Sequence, residues 1–334
     1  MKRMVLLVVM VLTTATISFG QGEITGTRPG VDGQPLEITG TVFLLDVSKI
    51  DGAEQSFTAD VFMLLQWRDE RLATSTGGMR RMALDSIWNP RVQILNQRRI
   101  WKTFPDDVDV DLDGVVTYRQ RYYGEFSSPL DLHDFPLDRH PFSLQFVVPG
   151  YSPEEIAFVL GGEGLGAGRS QEMTIPDWSI GAFEIRCEPF AIVPGGRRIA
   201  GLKGTFEARR HIGFYVGKAF VSVAIIVFMS WVVFWIGAEH LGPRLSVAVT
   251  SMLTLVAYRF LLGQSLPPVS YLTRLDYFLL GTTILVFVAL MQVALTSAMS
   301  EGGRAGLAMT VNRTSRWLFP SVFAALVVVS FWLM

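Results

Sequence analysis

Four long apolar runs fill the last third of the chain, at Phe214–Trp235, Leu245–Leu262, Tyr277–Ser300 and Trp317–Leu333. Each is near the ~20 residues that cross ~30 Å of hydrocarbon as a helix. Backbone groups in lipid have no water to bond, so consecutive spans of this kind must be helices. The remainder reads differently, because Gln21 to about Arg210 mixes charges, turns and short alternating runs. Half of all residues are hydrophobic and the mean hydropathy is +0.36, too apolar for an ordinary soluble chain. Two regions with two solvents follow, with expected boundaries at 21–210 and 211–334.

Residues 1–20 read as a signal peptide: Lys2 and Arg3 precede an apolar run from Met4 to Leu12, then small residues at Ser18 and Gly20. Export would place the N-terminal region in the periplasm and the four spans in the bacterial inner membrane. Arg244, Arg304, Arg313 and Arg316 then fall at or near the cytoplasmic face, as the positive-inside rule requires. Cys187 is the only cysteine, so the exported domain has no intrachain disulfide. With 29 basic and 30 acidic residues and no basic run, nucleic acid is not a partner. No phosphate loop, nucleophile elbow or zinc motif is present, so neither catalysis nor a cofactor is expected.

The N-terminal region predicts an all-β sandwich. Runs at Thr41–Val47, Phe57–Trp67, Val115–Tyr123, Phe142–Val148, Glu155–Leu160 and Thr205–Arg209 are separated by Gly, Pro and Asp clusters. Gly161–Gly168, with five glycines in eight residues, is expected to be a loop. Asp109, Asp111 and Asp113 have the opening spacing of an EF-hand, but Gln120 stands where a bidentate Glu should close it. A strand with outward carboxylates ending in a Gly turn is the favoured reading, a divalent-cation site the alternative. His133, His140, His211 and His240 lack metal-ligand spacing; one of them could serve as a proton sensor.

On the second span Ser246, Thr250, Leu253, Ala257, Phe260 and Gln264 recur at spacings of four and three, which sets them on one helical face. Polar at the cytoplasmic half and bulky above, the stripe suits a pore built from several copies, with Leu253 or Phe260 as a constriction that can dewet. Small polar residues packing one helix on another would give the same pattern.

Motifs from about residue 41 onward break that tie. Asp60-Val-Phe-Met-Leu-Leu-Gln-Trp67-Arg-Asp69-Glu-Arg71-Leu72, then Trp88-Asn-Pro90, then His133-Asp134-Phe135-Pro136-Leu137-Asp138 occur in order. They are followed by Arg209-Arg210 before the first span, Ser230-Trp231 near its end, and Arg244-Leu245 through Leu266-Pro267 around the second. In this order the chain resembles the pentameric ligand-gated ion channels, or Cys-loop receptors. Its second span is similar to the pore helix of the family's amine-gated bacterial branch. Ser128 and Phe142 stand where animal members pair two cysteines, so the resemblance is to a prokaryotic form without the disulfide.

The resemblance implies a homopentamer in a lipid bilayer that passes inorganic ions when a small-molecule agonist, an amine or a proton, binds. Pore lining falls to the Ser246–Gln264 stripe. Phe135, Pro136, Asp138, Arg210 and Pro267 would couple the sandwich to the membrane, with an Asp138–Arg210 ion pair expected. Ligand contacts would come from Phe62 on one side and from Val147, Pro149, Tyr151, Phe183 and Phe190 on the other. Glu239 and Arg244 are the candidates for ion selectivity, since acidic rings favour cations and basic rings anions; the Gly242-Pro243-Arg244 run tilts slightly to anions. The alternative is a membrane-anchored periplasmic sensor on the same scaffold that does not conduct.

Overall fold

A computed structural model of the chain describes residues 26–30, 33–161, 167–237, 239–264 and 269–333. The expected signal peptide and Pro267 lie outside the described residues.

The N-terminal region is a β-sandwich. One sheet runs β10-β1-β2-β7-β6-β3, with β5 added to β7 and β9 to β1. Its long members are β1 (Leu36–Asp51), β2 (Ser56–Arg68) and β7 (Val115–Ser127); the shorter ones are β3 (Arg80–Ala83), β5 (Gln97–Lys102), β6 (Asp107–Val110), β9 (Ile156–Leu160) and β10 (Ala167–Arg169). The facing sheet runs β11-β14-β8-β4, from β4 (Gln93–Ile94), β8 (Arg139–Val147), β11 (Trp178–Cys187) and β14 (Gly201–Arg210). A separate hairpin pairs β12 (Phe190–Ala191) with β13 (Arg198–Ile199).

Strand alternation builds the core. β2 buries Phe57, Ala59, Val61, Met63, Leu65 and Trp67 and turns the residues between them outward. Across the interior Phe57 meets Phe142 of the other sheet at 5.0 Å and Phe206 at 5.6 Å. Phe142 is fully buried in this aromatic cluster. Strand β11 escapes a period-two reading because its register slips between Ile180 and Phe183, which breaks the apolar alternation. The expected glycine loop ends early, since Ala167–Arg169 pairs in parallel with Val42–Leu44 of β1; residues 162–166 lie outside the described residues. Gly168 is needed there, because a Cβ would come within 2.5 Å of the Phe43 ring.

The C-terminal region has four helices long and apolar enough to cross a membrane: α1 (Val216–Phe234), α2 (Leu241–Gly263), α3 (Arg274–Glu301) and α4 (Ala305–Trp332). α3 starts with a capping box in which Thr273 and Asp276 satisfy each other's backbone N–H groups. Two starts differ from the hydropathy reading. α2 begins at Leu241 because Pro243 is tolerated in a first turn. α4 begins at Ala305, twelve residues before Trp317, because its first half is helical but polar and so escapes a hydropathy scan.

Candidate pore and gating site

α2 has two opposed faces. Arg244, Ala248, Ser251 and Leu255 are buried against the other helices. Ser246, Thr250, Leu253, Ala257, Phe260 and Gln264 all lie on the opposite side, exposed in the single subunit. Leu253 is 65% and Phe260 75% exposed, so the bulky apolar part of the stripe is largely uncovered by the described residues of its own chain. Among the described residues of one chain, no neighbouring helix covers this face.

Arg244 is not on that face, which corrects the expectation that its side chain stands at the pore mouth to set selectivity. Its side chain is 0% exposed, at the inner end of the bundle. Its Nε donates to the Val233 carbonyl at 3.3 Å, Nη1 to Ser297 Oγ at 3.4 Å, and Nη2 to Thr296 Oγ1 at 3.1 Å and Asn312 Oδ1 at 2.9 Å. One guanidinium thus ties α2 to α1, α3 and α4. The polar first half of α4 now has a reason: it brings the Asn312 amide to a cation that the helices have taken out of water. Arg316 does similar work nearby, donating to the Phe234 carbonyl at 2.9 Å, so the last carbonyls of α1 are capped by two arginines. Glu239, by contrast, is 69% exposed in the α1–α2 connection, 3.7 Å from His240.

At the other end of the bundle the expected Asp138–Arg210 pair is present and bidentate, with Arg210 Nε on Oδ1 at 2.8 Å and Nη2 on Oδ2 at 3.0 Å. Arg210 closes β14, and Asp138 closes the loop between β7 and β8. The guanidinium lies between two rings, 4.1 Å from Trp178 and 4.8 Å from Phe135. His140 Nε2 completes the group at 2.8 Å from Asp138 Oδ2. Burial alone would raise the Asp138 carboxyl, but the bonds from His140 and Arg210 outweigh it and hold the group below the usual carboxylate range. His140 was legible in principle, since two residues along a strand is the same face. Trp178 was not, because its place opposite Arg210 comes from β11–β14 pairing.

The loop tip rests on the start of α3. Tyr271 Oη accepts from the Leu132 N–H at 2.8 Å and the Tyr271 ring stacks on His133 at 3.9 Å. Phe135 is buried against Tyr215, and Pro136 is buried beside it. Tyr271 and Arg274 carry no motif in the sequence that marks them for this contact.

Of the ligand-contact residues, two are corrected. Val147 is fully buried on the face of β8 opposite Phe142, Leu144 and Phe146, and Phe183 is buried in β11, where a Cβ on Gly204 would come within 2.4 Å of its ring. The others lie in two groups. Pro149 and Tyr151 border a cavity of about 210 Å³ with Trp88, Asn89 and Arg91; Tyr151 Oη accepts from Trp88 Nε1 at 3.1 Å. The Tyr151 carbonyl accepts from the Ala200 N–H beside the hairpin that carries Phe190. Phe62 sits on the outward face of β2, its ring 6.2 Å from Phe104, opposite Arg121, whose Nε holds Asp60 at 2.9 Å. Within one chain no described contact joins the two groups.

The three aspartates do not converge. Asp109 pairs with Arg119 at 2.6 Å and Arg81 at 3.2 Å, which holds its carboxyl low, whereas Asp111 Oδ1 accepts the N–H groups of Asp113 and Val115 to shape the turn at Gly114. Gln120 is buried on Tyr118, Asp106 and the Phe104 carbonyl. Among the described residues no cluster of three or more His, Cys, Asp or Glu side chains could hold a metal ion.

Comparison with known proteins gives matches on both sides of the junction. Residues 25–184 match the family model of the neurotransmitter-gated ion-channel ligand binding domain, and residues 223–305 that of the neurotransmitter-gated ion-channel transmembrane region. A proton-gated ion channel of Gloeobacter violaceus is 23% identical over 309 residues, covering 91% of this chain and 85% of that protein. The gamma-aminobutyric acid receptor subunit beta-4 of Gallus gallus is 26% identical over 278 residues, 80% of this chain; the match spans 56% of the receptor subunit.

Proposed function

Because the chain belongs to the pentameric ligand-gated ion channels of the Cys-loop family, we propose that five identical copies ring their α2 helices around one conducting pore. Each copy presents an extracellular sandwich above four membrane helices. The observation that carries the proposal is the unpartnered stripe on α2: six side chains, hydroxylic at the inner half and apolar at Leu253 and Phe260, exposed on the side away from the bundle. A ring of such helices offers a hydrated ion hydroxyls below and a constriction above that conducts only when wetted. Signal-peptide export to the bacterial inner membrane, with the junction between regions at about residue 210, accompanies this reading.

Agonist binding belongs between neighbouring sandwiches, where the Pro149–Tyr151–Phe190 side of one copy faces Phe62 and Arg121 of the next. Two half-sites on one chain that never touch each other are what an intersubunit site requires. The agonist is a small molecule, an amine or a proton, and it acts by favouring the open arrangement of a pre-existing pair. The switch lies at Arg210, Asp138, His140 and Phe135, a buried charged cluster bridging the last strand and the loop tip.

For selectivity, withdrawal of Arg244 into the bundle leaves the exposed Glu239 carboxylate as the inner mouth's charge, which favours cations. The test is current in a planar bilayer under asymmetric KCl, with Leu253→Ser beside the unaltered chain and across a pH range. Current from Leu253→Ser that reverses near the K⁺ potential, and moves toward zero in Glu239→Gln, is expected. Reversal near the Cl⁻ potential overturns the selectivity, and silence at confirmed membrane expression overturns the pore.

A further inference from the structure

The loop tip of the sandwich does not stop at α3. Arg274, the first residue of α3, donates its backbone N–H to the His133 carbonyl at 3.0 Å, and the next N–H, of Leu275, goes to the Phe135 carbonyl at 3.3 Å. Loop carbonyls therefore satisfy N–H groups that a helix start leaves open. The Arg274 side chain turns both ways. Nε holds Asp134 Oδ1 at 2.7 Å and Nη2 the same oxygen at 2.6 Å, while Nη1 donates to the Phe331 carbonyl at 3.1 Å, in the last turn of α4. That carbonyl is in turn one of the acceptors a helix end leaves unpaired, and the negative end of the helix dipole favours a cation there.

Around this bridge the packing is loose on one side. An apolar groove of about 490 Å³, lined by Leu137, Ile212, Val216, Val327 and Trp332 among others, separates the loop from the end of α4. Side-chain packing across that gap is thin, so the guanidinium is a direct link between the tip and α4. The α4 end is joined to the bundle on its other side, where the Phe331 ring meets Phe220 edge-on at 4.5 Å and lies tilted 5.8 Å from Phe278.

We propose that Arg274 is a positioning residue for gating that carries movement of the sandwich loop to the outer end of α4, making that helix end a working part of the switch. The proposal rests on the channel reading above. A partly exposed ion pair alone contributes little, so the function of Arg274 lies in its two-sided attachment, not in the strength of the Asp134 contact. When the loop shifts, the Phe331 carbonyl and the last turn of α4 must follow or lose their donor.

The test uses the full-length chain in lipid, with Leu253→Ser as the conducting parent and Cys187→Ser, Trp332→Cys carrying an environment-sensitive fluorophore at the end of α4. Trp332 is exposed, so labelling there leaves the bridge in place. In the parent, opening shifts the label's emission. Arg274→Gln and Asp134→Asn should each lower the open-to-closed ratio about tenfold, within the usual range of coupling between sites, and the double variant no further than Arg274→Gln alone. Arg274→Gln should also remove most of the emission shift, with the melting temperature in detergent unchanged. A full emission shift in Arg274→Gln, additive effects of the two substitutions, or a melting temperature that falls in step with the open ratio would each overturn the proposal. A silent Leu253→Ser parent would overturn it together with the channel reading, whereas current in the parent with unaltered variants would overturn this proposal alone.

Discussion

Arg210 and Arg244 sit at opposite ends of the membrane region, and both are withdrawn from solvent, yet they are held in opposite ways. Arg210 is paired with Asp138 and framed by two rings; Arg244 has four neutral acceptors on three helices and no carboxylate among its hydrogen-bond partners. The first is a charge pair whose members need each other, since removing either leaves a buried charge alone. The second is a single cation solvated by hydroxyls and an amide, which in membrane helices stand in for water. The two ends of the same bundle thus differ: a paired, ring-framed charge cluster lies where the sandwich enters, and a knot joining all four helices lies at the opposite end.

Asp138→Ala breaks this comparison most severely. It strands Arg210 and His140 together, and an unfolding free-energy loss of about 3–5 kcal/mol is expected, read as a drop in melting temperature of the detergent-solubilised protein. Arg244→Met should cost less, about 1–2 kcal/mol, because it removes the charge with the contact and because Thr296 Oγ1 already donates to the Gln292 carbonyl of its own helix. If Arg244→Met melts lower than Asp138→Ala, the inner knot is the more critical charge site and the contrast is wrong.

Acid separates the two ends by a different route. A carboxylate held below its unfolded pKa adds stability that is complete above about pH 4 and fades as pH falls through the lower folded value. Melting temperature should therefore fall on acidification below about pH 4 in the unaltered chain, with a shallower slope in Asp138→Asn. Equal slopes would remove Asp138 from the account. The smallest effect is expected at Asp109, whose arginine partners are largely exposed: Asp109→Asn should change stability by about 0–1 kcal/mol, and millimolar Ca²⁺ should leave the melting curve unmoved. A rise in melting temperature with Ca²⁺ that Asp109→Asn abolishes would restore the divalent-cation site.

What could be read from residues alone follows the same division. The shared exposed face of six residues on α2 was legible because helical period is a local property, and side chains at spacings of four and three can point only one way. The Asp138–Arg210 pair was legible through ordered motifs, not through spacing, since 72 residues separate its partners. Arg244 misled because its neighbours in sequence say nothing of Thr296 and Asn312, which reach it from two other helices. Val147 and Phe183 misled for the converse reason: family position put them near a pocket, while Val147 is buried on the face of β8 away from Phe146 and a register slip turns Phe183 into the core. Tyr271 and Arg274 lay beyond reach, because their partners come from a loop more than a hundred residues earlier.

The central claim is that one face of α2 meets the ion path, and cysteine scanning tests it most directly. In a Cys187→Ser, Leu253→Ser background, single substitutions Ser246→Cys, Thr250→Cys and Ala257→Cys are compared with Ala248→Cys, Ser251→Cys and Leu255→Cys. A charged, water-soluble thiol reagent should alter current through the first three and leave the second three untouched. Modification of the second group alone, or of both groups alike, would contradict the pore assignment.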